Sequence, residues 1–232
     1  MAETTRILAG VTPQTYEEMQ LGPGIILVNF AYEDISTVAG FAEAMNKALA
    51  APEGSPSGWS LGGTRGGINV NVTPTMRQRD IDGVIARFVG DSVIDNWECY
   101  ISGNLVQFSP KTMQAVFPSA EFAQSEADDQ DRKITAMRIR TAMQNSDWQK
   151  NMCWIGTTDY GWIMFALHNA LGQTTGDIST ESAGEATIPF RADGFIAEFD
   201  AIDYAPCEIW IVDRVGTISK ARVGAGEENA GD

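Results

Sequence analysis

Imidazole changes charge near neutral pH, so the single histidine of this chain, His168, is the first residue to test for chemistry. As a general base it would need a nucleophile and an orienting acid, and no serine or cysteine lies in a nucleophile motif. As a metal ligand it has no histidine or cysteine at ligand spacing. It follows the apolar run Trp162 to Leu167 and reads as a structural or surface histidine. The glycine-rich Leu61-Gly62-Gly63-Thr64-Arg65-Gly66-Gly67 precedes a strand pattern and lacks the Lys-Ser/Thr of a phosphate loop, so it reads as an adaptable turn. Glu126, Asp128, Asp129 and Asp131 crowd together without the glycine and distal glutamate of a calcium loop, which leaves solvated charge. Glu181 and Glu185 are a carboxylate pair of the kind a glycosidase uses, but 31 acidic residues make chance pairs inevitable. No catalytic residue, cofactor site or metal site is assigned, and the chain reads as a non-enzyme.

Three cysteines, Cys99, Cys153 and Cys207, stand beside aromatic or β-branched residues. An odd count with no apolar secretion segment points to reduced, buried thiols acting as small hydrophobes in a reducing cytoplasm. Trp97, Trp154, Trp162 and Trp210 lie in strand patterns. Stacked on one face they would bind sugar rings; among apolar neighbours they pack a core, which is the preferred reading. The net charge of −15 disfavours binding to nucleic acid or anionic lipid. No apolar run is long enough to span a membrane as a helix.

The elements that would position any site are mostly strands. Residues 1–22 read as a polar arm, and Gly22-Pro23-Gly24 turns into Ile25 to Phe30, a strand buried on both faces. Val38, Phe41, Ala42, Met45 and Leu49 repeat at helical spacing behind Ser36 or Thr37 as N-cap. A loop from 51 to 58 ends that helix. Strands are expected around Ile68 to Val72, Val84 to Val89, 152–156, 162–167, 186–191, 195–199 and 208–212. Ser109-Pro110 opens a short helix to Phe117. Residues 119–150 admit a loop, a partial helix or a segment that orders against a partner, and the tail 214–232 reads as mobile. The fold class is mainly β, a two-sheet sandwich or barrel with one or two flanking helices and a single domain over 23–213.

The most regular stretch runs from Val93 to Phe108. Trp97, Cys99, Ile101 and Leu105 fall on one side of an extended chain, with Glu98, Tyr100, Ser102 and Asn104 on the other. Asn69 and Asn71 offer a facing strand with a similar polar side.

Leu21 to Phe30, the glycine run 61–67, Val93 to Glu98 with Ser102 to Leu105, Phe108 to Thr112, His168 to Leu171, Ala186 to Phe190 and Ala205 to Ile209 occur in an order and spacing that resembles the major tail tube proteins of long-tailed siphophages. The likeness covers roughly residues 10 to 213 and leaves 119–150 unmatched. It implies a two-sheet β fold with a flanking helix, akin to the tubes of contractile tails and type VI secretion. Six subunits would form a ring whose long strands join into one barrel, and stacked rings would conduct DNA without binding it specifically. Implied partners are other copies, a tail initiator, a tape-measure protein and a terminator. The implied location is the virion tail, after assembly in the host cytoplasm. No catalytic residues come with the resemblance.

Within that expectation, Asn69, Asn71, Glu98, Tyr100, Ser102 and Asn104 are candidates to face the lumen. Arg6, Gln14, Trp59, Arg65, Asp128 and Asp129 are candidates for ring-to-ring contact. Six copies at −15 carry −90 per ring, which suggests an acidic, non-sticking lumen with Glu98 as one of its acids. The alternatives are a capsid decoration protein, a contractile-tail inner tube, or a sugar-binding β-sandwich.

Overall fold

The computed structural model describes residues 20–79, 90–126, 133–158, 161–174, 186–197, 203–213 and 219–220. Eleven strands and two α-helices lie among them. Nine strands form one antiparallel sheet in the order β2-β1-β7-β8-β9-β4-β3, with β10 on β8 and β11 on β10. The strands are β1 (Gln20–Val28), β2 (Trp59–Ser60), β3 (Thr64–Gln78), β4 (Ser92–Leu105), β7 (Gln149–Thr158), β8 (Gly161–Gly172), β9 (Ile188–Asp193), β10 (Cys207–Asp213) and β11 (Ser219–Lys220). The remaining two, β5 (Ala120–Gln124) and β6 (Thr135–Ile139), make a separate hairpin.

Strand β8 is the pivot. Its residues 161–167 pair β10, while its far end, Leu171 and Gly172, pairs β9. The sheet therefore divides into one half built on β1, β7, β8 and β10 and another built on β9, β4 and β3. Alternation then gives each strand two destinations. Ile26 and Val28 of β1, with Phe165 and Leu167 of β8, meet Cys99, Ile101 and Leu105 of β4 and Phe190 of β9 in one buried cluster. The intervening Leu27, with Cys153, Ile155, Met164 and Ala166, turns the other way. These residues join Trp210, Val212 and Phe41 in a second cluster beneath α1 (Val38–Ala50). The expectation that β1 is buried on both faces is met by this division.

Thr37 caps α1 by accepting a hydrogen bond from the Gly40 amide at 3.1 Å, the arrangement an N-terminal threonine favours. Phe41 and Ala48 carry its buried face. Leu49, expected there, is 43% exposed, because the turn that Phe41 and Ala48 define rotates it toward solvent. The second helix, α2 (Pro110–Val116), begins as its sequence suggests: the Ser109 side chain accepts from the Thr112 amide at 3.0 Å, and Pro110 occupies the first turn.

Several expectations change. The strand after the arm begins at Gln20 and carries a bulge between Leu21 and Ile25 rather than a turn ahead of it. Gly24 has φ +75° there, and a Cβ on it would strike the Trp154 indole and the Ile155 carbonyl, so the bulge requires glycine. Thr64 to Gly67 belong to β3, where a register shift between Arg65 and Ile68 replaces the expected loop. Residues 119–150 contain the β5–β6 hairpin, held against the core by Ala120, Phe122 and Met137. Phe195 to Ala197 are not strand, although the Phe195 amide still donates to the His168 carbonyl, and 198–199 of that expected strand lie outside the described residues. In the tail, Ser219 and Lys220 pair Ile211 and Trp210, because that edge of β10 is open to them. Cys99 and Cys153 are buried, whereas Cys207 is half-buried. The expected strand Val84 to Val89 lies outside the described residues.

Phe41 fills the α1 interface and has no exposed surface. Phe41→Ala should cost about 3–5 kcal/mol in urea unfolding, while Leu49→Ala should stay within about 0.5 kcal/mol. Tyr32 is buried, its hydroxyl has no hydrogen-bond partner among the described residues, and burial pushes its ionisation far above the ordinary value. The unfolded chain ionises at about 10 while the folded one keeps its proton, so stability from this group is full below that pH and falls above it. Tyr32→Phe should therefore be neutral or stabilising at neutral pH and should lose less stability than the parent on alkaline titration.

Candidate assembly surface

A long antiparallel ladder places the polar residues of the sequence. β3 and β4 pair from Thr64↔Leu105 to Gln78↔Ser92, and β9 adds Ile188 to Asp193 along the upper part of β4. At about 3.3 Å per residue, the 15 residues of β3 reach ~50 Å, more than twice an ordinary strand. Val70↔Ile101 and Val72↔Cys99 point toward the core. The alternate pairs Asn69↔Ser102, Asn71↔Tyr100, Thr73↔Glu98 and Thr75↔Asn96 must then point the opposite way, and Arg65 joins them opposite Asn104. From β9, Pro189, Arg191 and Asp193 fall on the same side opposite Asn104, Ser102 and Tyr100. All six residues proposed for a wet face, Asn69, Asn71, Glu98, Tyr100, Ser102 and Asn104, thus share one face. The signal that found them was period-two alternation alone.

Arg191 organises the charge on this wall, a role that no local pattern announces. Its guanidinium donates to Asp193 at 2.6 Å and Glu98 at 2.7 Å, and lies 3.9 Å from the centre of the Tyr100 ring. Hydrogen bonding to Asp193 and then Glu98 holds the guanidinium above its ordinary value. Glu98 is therefore not a free acid. Arg65 and Arg191 balance Glu98 and Asp193 on the wall, and Arg77 pairs Asp95 at 3.2 Å further down. The described wall is polar and charge-balanced.

The wall also has unpaired borders. β3 ends the strand order and pairs only β4 among the described residues. On the opposite side, β9 covers β4 only from Tyr100 to Leu105, and below it the Cys99 carbonyl accepts from the Gly194 amide. Ser92 to Glu98 have no strand partner on that border among the described residues. An open cavity of about 690 Å³ lies there, between β4 and residues such as Phe195, Tyr204 and Pro206.

The residues proposed for ring-to-ring contact fare differently. Trp59 is 2% exposed in the core between the sheet halves, so its ring offers no surface; pairing of β2 with β1 draws it inside. Arg65 is exposed, but on the polar wall. Arg6, Gln14, Asp128 and Asp129 lie outside the described residues. The tryptophans do not form a sugar platform: Trp97 and Trp154 pack against one buried cluster, and Trp162 and Trp210 belong with the other. His168 sits in β8 opposite Asn151, 3.6 Å from Glu208. No family model matches the chain, and no curated protein matches it.

The Arg191–Glu98 pair is about half exposed, which limits its worth. A double-mutant cycle with Arg191→Ala and Glu98→Ala should give a coupling below about 1 kcal/mol that shrinks as salt is raised.

Proposed function

We propose that the chain is a structural subunit that assembles edge to edge into rings, and that stacked rings form a phage-type tail tube whose bore is the polar wall of β3, β4 and β9. The observation that carries this reading is a ~50 Å two-strand wall with one face on the core, one face wet, and an outer edge of β3 that has no strand partner among the described residues. A long exposed edge is an aggregation template unless something covers it. Pairing β3 of one copy with the open border of the next covers both and closes the sheet on itself. Ring closure is thus what an otherwise hazardous edge is suited to.

The same reading gives the wall its chemistry. Duplex DNA presents about one negative charge per ~1.7 Å of axis, and a basic surface binds it by releasing counterions. A wall on which Arg65 and Arg191 are matched by Glu98 and Asp193 has no net attraction for the polyanion. Passage is favoured by balance, rather than by the strongly acidic bore that composition suggests. Host-side partners, tube length control and the virion location belong to the same proposal and rest on it.

Negative-stain micrographs of the concentrated protein should show rings or tubes of uniform bore, with β3 amides protected from hydrogen exchange upon assembly. Dispersed monomers whose β3 amides exchange equally at every concentration would count against the proposal. Assemblies carrying Glu98→Lys and Asp193→Lys together should retain duplex DNA, with retention falling steeply as salt rises; the parent should retain none.

A further inference from the structure

Cys99 lies in β4 on the core side of the wall, and Cys207 opens β10 in the other half of the sheet. Their sulfurs are 3.0 Å apart, across a sequence separation of 108 residues. Closing to the bonded distance of ~2.05 Å requires a movement of about 1 Å. Both backbones are pinned: the Cys99 carbonyl accepts from Gly194, Cys207 pairs Leu167, and the Pro206 carbonyl accepts from His168. Cys99 also lines the open cavity beside β4, although only 3% of its surface is exposed. So small an exposed surface favours a small oxidant over a bulky one.

We propose that Cys99 and Cys207 are an oxidisable dithiol, which a small hydroperoxide converts into a disulfide that staples the polar wall to the helix-covered half of the sheet. Cys99 is the attacking sulfur. The hydrogen bond shared with Cys207 holds Cys99 below the ordinary thiol value, while the same bond and burial push Cys207 up, so the thiolate forms on Cys99 with the proton kept on Cys207. The Cys99 thiolate attacks one peroxide oxygen; a sulfur–oxygen bond forms, the oxygen–oxygen bond breaks, and the other oxygen leaves as an alcohol, or as water from hydrogen peroxide, after taking a proton from solvent. Cys207 then attacks the Cys99 sulfenic sulfur. The sulfur–sulfur bond forms, the sulfur–oxygen bond breaks, and hydroxide departs as water with the Cys207 proton. Two thiols have lost two electrons and two protons, and the peroxide has accepted them. Thiol reductants reverse the change.

The third thiol supplies the control. Cys153 has no exposed surface, its ionisation is pushed well up by burial, and it lies in the cluster beneath α1. A cross-link spanning so long a loop restricts the unfolded chain strongly, so the oxidised protein should melt several degrees higher than the reduced one.

The test is to treat the folded full-length protein with hydrogen peroxide and map its peptides without reduction. The expected product is one cross-linked pair containing Cys99 and Cys207, lighter by two hydrogens, with Cys153 free. Cys153→Ser should give the same product, and Cys99→Ser and Cys207→Ser should not. Both thiols remaining free, sulfinic acid at Cys99 beside an unmodified Cys207, or cross-links between chains would each overturn the proposal. Should either serine variant fail to fold, the map of the parent and of Cys153→Ser decides the matter alone.

Discussion

The register between β3 and β4 is the constraint on which the rest of the molecule depends. Side chains alternate with a period of two, so a slip of one residue would turn Val70, Val72, Cys99 and Ile101 into water and Asn69, Asn71, Glu98 and Tyr100 into the core. Burial of that apolar set against β1, β8 and β9 makes such a slip costly. Two irregularities interrupt the ladder: the one between Arg65 and Ile68 inserts two residues and keeps the faces, while the one between Thr75 and Met76 inserts Asp95 into β4 and shifts the alternation of that strand beyond it. At the first, Gly66 and Gly67 take φ values of +80° and +87°, a region glycine enters without strain.

With the faces fixed, the charge pattern follows from neighbour relations across strands. Arg191 stands opposite Ser102 and reaches two same-face positions down the neighbouring strand, past Tyr100, to Glu98, while Asp193 follows it at the next same-face position of its own strand. Tyr100 lies beneath the guanidinium. One cation thus gathers two acids and an aromatic ring, and together with Arg65 it balances the charge of this part of the wall. Exposure keeps each of these interactions weak in stability terms. Their sum still decides what a passing polyanion encounters.

The second half of the sheet has a different task. Its outer face is covered by α1, with Phe41, Tyr32, Trp210 and Cys153 packed together, so β1, β7 and β8 bury residues on both faces, while Ile209 and Ile211 of β10 stay exposed. Asn151 ties this region to the chain leaving β1 by donating to the Phe30 carbonyl at 2.7 Å from a buried position. The polar wall therefore rests on a stiff support. β8, paired to both halves, carries the connection, and the Cys99–Cys207 approach is the place where the halves come nearest through side chains that can bond.

Much of this was legible one residue at a time. Alternation in 93–105 gave a strand and both of its faces, 3.6-residue spacing with Thr37 gave α1, and Ser109-Pro110 gave the start of α2, because each is dictated by neighbours a few positions away. The hairpin in 120–139 was not legible: its strands are short, exposed on one side, and hold their place through Ala120, Phe122 and Met137 meeting a distant core. Burial of Trp59, exposure of Leu49 and the failure of 195–197 to become strand were equally hidden, since each depends on what packs or bonds from elsewhere in the chain. Local order along the chain settles which residues alternate and therefore which could share a face. Which strands stand side by side, and which halves pack face to face, is a matter of distant contacts: the β4–β9 ladder brings Arg191 to Glu98 across 93 positions, and packing of the two halves brings Cys207 to Cys99 across 108.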